Sequence, residues 1–193
     1  MLRKIKMKYM FAPILVLGLL FANLSVYTAH AHNWGDYHWN KSGTYIRIEQ
    51  AWVTGPTGTF GFNYAEADAA RLNGWYTIPE LYDYWVNYHS DVSVWDAWYS
   101  DSWGGLASLE SVDWDWGCWC YRHISHGHAR YNNRYGNTND YWIQGVFCQE
   151  VFHTYGFDHD NQYNCMGLGY YSGSTNVYNS HNRWDFYNRY RYH

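Results

Sequence analysis

The residues best able to do chemistry lie between Gly145 and Gly167, in GVFCQEVFHTYGFDHDNQYNCMG. Glu150, His153, Gly156 and His159 stand in the register E-x-x-H-x-x-G-x-x-H, with Gln149 directly before them. On a helix, Gln149 and His153 share a face because they are four residues apart. Glu150 is turned one step away from them. A glycine at position 156 lets the chain turn with positive φ, and that turn returns His159 as a third donor. Three protein donors and one water are what a catalytic zinc ion requires. Such an ion lowers the pKa of its water towards about 7 and polarises a carbonyl group. Glu150 is then the group to take the proton and pass it to a leaving amine. With Met166 close behind, this register is far more specific than a bare E-x-x-H in a chain that holds 11 histidines.

The compartment follows from the N-terminus. Arg3, Lys4, Lys6 and Lys8 precede an apolar run from Phe11 to Ala22, and Ala29-His30-Ala31 offers a small-x-small cleavage site. This reads as an export signal over residues 1–31. Asn23 and Ser25 end the apolar run short of the roughly 20 residues that a membrane span needs. The expectation is a secreted, extracellular chain, 32–193, forming a single domain with no membrane attachment after cleavage. Only four residues lie between Ala31 and Asp36, so latency through a cysteine-bearing pro-segment is not expected. A net charge of -4 gives no reason to expect nucleic acid as a partner.

In an oxidising compartment Cys118, Cys120, Cys148 and Cys165 are disulfide candidates with three possible pairings. Cys118 and Cys120 are too close in sequence for good bonding geometry with each other. A Cys148–Cys165 bridge would staple the loop that carries the motif, and a cysteine-zinc site is the rival use of these residues.

Several elements must position the motif. Tyr45 to Glu49 and Asp91 to Tyr99 alternate as strands do. Thr54 to Thr59 is a turn-rich break. Ala65 to Trp75 reads as a helix stopped at Asn73-Gly74. Ser102 to Ser111, with Gly104-Gly105, reads as a loop, and Trp119 to Tyr131 contains another extended segment. Asn137 to Asp140 supply N-caps for a buried helix that starts at Tyr141 and ends at Gly156. Ser180 to Tyr192 reads as a last helix. Strands come mostly first and the helices around the motif come late, which predicts an α+β domain.

The motif resembles that of the metzincin zinc proteases, H-E-x-x-H-x-x-G-x-x-H followed by a methionine turn. It is most similar to small secreted matrixin-like proteins in which Cys-Gln-Glu opens the motif and Asp-His closes it, matched here by Cys148-Gln149-Glu150, Asp158-His159 and Cys165-Met166. Ala65–Trp75 and the segment from Ser180 resemble the first and last helices of that family. The resemblance implies a metzincin-like fold: a twisted mixed sheet, an active-site helix, a methionine turn and a C-terminal helix. It implies a monomeric zinc endopeptidase acting on protein or peptide substrates, with one catalytic Zn2+ held by His153, His159 and Gln149, Glu150 as general base, and Met166 and Gly156 as structural residues. Two departures stand out. Gln149 replaces a histidine, and its amide oxygen is a weaker zinc donor than imidazole. Leu168 stands two after the methionine where related enzymes carry a tyrosine, with Tyr170 and Tyr171 out of register.

Other groupings are weaker. His123, His126 and His128 read as a solvated or substrate-facing strand, with a second, structural zinc or calcium site as the alternative. Asp158 and Asp160 are either acceptors that orient His159 or plain loop carboxylates. Aromatic residues make up 22% of the chain. Trp114, Trp116 and Trp119 could stack on sugars, but core and sheet-face positions are the expectation for most of them. Two rival functions remain: a metzincin-fold protein that lost zinc through Gln149, and an aromatic-rich carbohydrate or cell-wall binding module.

Overall fold

The computed structural model describes residues 36–41, 43–56, 61–88, 90–117, 119–135, 139–167 and 176–191, and of Cys120 the backbone only. The export signal, Cys118, Leu168, Tyr170 and Tyr171 lie outside the described residues. Among the described residues, six strands and three α-helices follow in the order β1 His38–Trp39, β2 Ile46–Trp52, α1 Tyr64–Thr77, β3 Leu81–Trp85, β4 Val92–Ala97, β5 Gly105–Asp115, β6 Cys120–Asn132, α2 Asp140–Thr154 and α3 Ser180–Tyr190. A 3-10 turn, Asn133–Tyr135, leads into the connection to α2.

The strands make one sheet in the order β3-β2-β4-β6-β5, and β1 adds to β6. All pairs are parallel except β5 with β6. The architecture is therefore α+β, as the element order predicts, and its sheet is mostly parallel. Alternation works strand by strand: Ile46 and Ile48 are buried while Arg47 between them is exposed. The core joins these strands to Val146, Phe147, Val151 and Phe152 of α2 and to Phe186 and Tyr190 of α3. No helix among the described residues is long and apolar enough to cross a membrane.

Two glycine readings are corrected. Gly74 does not stop α1, which continues to Thr77. It is buried, and a Cβ there would stand 2.9 Å from the Tyr178 ring, so its smallness serves close packing. Gly105 does not lie in a loop but opens β5. A Cβ on it would stand 2.6 Å from both Cγ and Oε1 of Glu150. Glycine inside a strand marks a close approach of another element, and here that element is α2.

Helix α2 is held firmly at both ends. Its N-cap is Asn139, whose side chain accepts the Trp142 N–H, one of the donors a helix start leaves without a partner. At the other end, carbonyls released by the helix are taken by aromatic side chains with polar tips. Trp39 Nε1 donates to Thr154 O (3.0 Å) and Tyr190 Oη to Tyr155 O (2.6 Å), while Tyr178 Oη donates to Cys148 O (2.8 Å) inside the helix. Tyr155 itself meets Gln50 at 2.7 Å, and Gln50 donates to buried Asp83. Burial pushes the Asp83 carboxyl up to about 7. Part of the unusual aromatic content is thus spent on fixing the helix that carries Glu150 and His153.

Candidate metal centre

His153 is buried in the last turn of α2. Its Nδ1 lies 2.7 Å from Phe157 O. A carbonyl oxygen only accepts, so Nδ1 carries the proton and Nε2 carries the lone pair in the neutral ring. Burial, with His159 alongside, pushes His153 down to about 4, so the ring is neutral at physiological pH. The hydrogen bond therefore fixes the tautomer that a metal ligand needs.

The turn after α2 brings His159 to the same point. Gly156 has φ +89, a conformation that costs little only without a side chain. A Cβ on it would also overlap the Tyr37 carbonyl oxygen. Phe157 then stacks on Phe152, ring centroids 4.4 Å apart, which pins the returning chain. The outcome is a separation of 3.1 Å between His153 Nε2 and His159 Nε2. Two ligand bonds of about 2.0–2.1 Å to one ion span that gap comfortably. The donor set thus fits a zinc-like cation.

Gln149 sits half-buried on α2, one turn before His153. Glu150 is buried and faces β5, where its carboxylate accepts the Ala107 N–H. Desolvation pushes it up to about 8. The general-base candidate therefore lies between the helix and the antiparallel outer strand of the sheet. The sequence does not announce the backbone partners at Gly105 and Ala107; its one local signal is a glycine inside a segment that reads as a loop.

The methionine loop is closed locally. Asp160 N donates to Met166 O (2.9 Å), Met166 N donates to Asn164 Oδ1 (2.7 Å), and Asp160 bridges to Gly167. Met166 is buried. Asp160 does not orient the His159 ring: its carboxylate takes the Gln162 N–H and the Asn164 amide and faces His181 of α3. Asp158 takes the backbone N–H of His159. Both carboxylates shape the loop.

Cys148 and Cys165 form a disulfide across a separation of 17 residues, tying α2 to the methionine loop. Replacing both by alanine should lower stability by about 3 kcal/mol, the chain-entropy value for a loop of this size. Urea unfolding of the native chain and the double variant under identical buffer checks this; equal midpoints would show that packing alone holds the loop.

The three histidines read together separate. His126 Nε2 and His128 Nε2 face each other at 3.1 Å, with His128 Nδ1 on Glu110. His123 lies instead beside His38 and Asp115. Two tryptophans also depart from expectation. Trp116 and Trp119 are each 72% exposed at the tip of the β5–β6 hairpin. Neither the protein-family models nor the curated proteins gave a match to this chain.

Proposed function

We propose that this chain is a secreted zinc endopeptidase of metzincin type. His153, His159 and Gln149 hold the ion, and Glu150 is the general base. The observation that carries this reading is the 3.1 Å convergence of two imidazole Nε2 atoms, one with its tautomer fixed by Phe157 O. Zinc held there would supply the Lewis acidity that activates a water and polarises a scissile carbonyl.

The chain's own residues do the rest. Glu150, with its high proton affinity in a desolvated setting, takes a proton from the attacking water and gives it to the leaving amine. Strand β5 is paired on one side by β6. Its other side offers main-chain groups on which an extended peptide can lie as an added strand, close to the position of Glu150. The Cys148–Cys165 bridge supports an exported protein, because such bonds persist in oxidising compartments.

The test is hydrolysis of casein by the mature chain, with and without a zinc chelator. Cleavage should stop on chelation and return when zinc is added back. Casein left intact by the zinc-loaded chain would sink the reading in favour of an inactive protein, and a chain that takes up no zinc would favour a fold that has lost its metal.

A further inference from the structure

We propose that His38, Asp115 and His123 form a second zinc site, structural in role, that ties the N-terminal strand to the turn end of the β5–β6 hairpin. The three side chains come from three strands and all are buried, at 5%, 5% and 8% exposure. They can each offer one ligand atom within 4.8 Å of the others. His38 and His123 are direct partners in the parallel pairing of β1 with β6. Their neighbours Trp39 and Ile124 belong to the core, so the alternation of a strand turns both imidazoles to the opposite face together.

The surroundings already prepare the ligands. His38 Nδ1 donates to Asp36 O (2.8 Å), which leaves Nε2 as the lone-pair nitrogen of the neutral ring. His123 Nε2 lies 3.5 Å from Asp115 Oδ2. Asp115 Oδ1 accepts the Gly117 N–H (2.7 Å), and Arg122 donates to Oδ2. Ligating carboxylates and imidazoles are commonly oriented by such outer hydrogen bonds. Two imidazoles and one carboxylate suit zinc, and the burial of all three side chains favours a structural role.

The site has a task. Tyr37 and Trp39 flank His38, and they are the residues that meet Gly156 and the end of α2. An ion on His38 would therefore hold the support of the turn between His153 and His159.

Zinc content, measured on dialysed protein by mass spectrometry, tests this for the native chain and for His38→Ala, which alters a strand of only two residues. Two equivalents in the native chain and one in His38→Ala is the expected result. One equivalent falling to none would support this site and reject the His153–His159 centre. An unchanged content in His38→Ala, or no zinc in the native chain, would overturn the proposal. A His153→Ala/His159→Ala chain should still keep one equivalent and lose it when His38→Ala is added.

Discussion

Replacing Glu150 by glutamine should abolish peptide hydrolysis while making the metal-free fold more stable. The loss follows from its role: general-base catalysis contributes about 10²–10⁴-fold, and an amide cannot take a proton. The gain follows from burial. The Glu150 carboxyl is pushed up from 4.5 to about 8 in the fold. Below about 4.5 the acid is neutral in both folded and unfolded chains. Between 4.5 and 8 the unfolded chain has released a proton that the folded chain keeps, so stability falls as pH rises, by about 1.4 kcal/mol per pH unit. Above 8 the folded chain carries a buried charge and the loss is complete. Glu150→Gln removes this slope and keeps an acceptor for the Ala107 N–H. Asp83, also raised, adds a slope of the same sign, so the difference between the two chains isolates Glu150. Urea unfolding in chelator at pH 5, 7 and 9 should show the curves diverging as pH rises. Parallel curves would mean that the carboxyl is not desolvated, and casein hydrolysis at the native rate would remove it from the proposed catalysis.

The motif was legible because its chemistry is local. Glu150, His153 and the Gly156 turn lie within one helix and its exit, and helical spacing alone predicts which of them can meet. The start of α2 was legible for the same reason, as Asn139 caps the backbone beside it. What the sequence hid depends on residues far apart in the chain. Gly105 looks like a loop glycine until β5 is seen against Glu150, 45 positions on. Gly74 looks like a helix stop until Tyr178 is seen against it. Strand β3, LYDYW, is mostly aromatic and short, and only its pairing with β2 declares it. His38 gave no signal, since its partners are brought by the parallel register of β1 on β6. His123, His126 and His128 show the reverse error: nearness in sequence suggested one group, and the irregular β5–β6 register goes with two separate environments.

The remaining departure from a three-histidine centre is Gln149, and it carries the second large expectation. Gln149→His should raise the zinc affinity of the His153–His159 centre by tenfold or more. Position 149 is four residues before His153 on a continuous helix, so a side chain there shares its face. The position is half-buried, so an imidazole need not displace core packing to enter. An amide oxygen is a neutral, harder donor than imidazole, and zinc sites favour nitrogen and sulfur. The substitution changes one donor and leaves Glu150, the Phe157 hydrogen bond and the disulfide in place. Competition with a chromogenic chelator reads the affinity directly. The His38→Ala background leaves only the centre of interest to fill. Unchanged affinity would mean that Gln149 is not directed at the ion, and that a two-histidine site must take its third donor from solvent. Zinc bound by Gln149→His but not by the native chain would mark this protein as a descendant that one substitution disarmed.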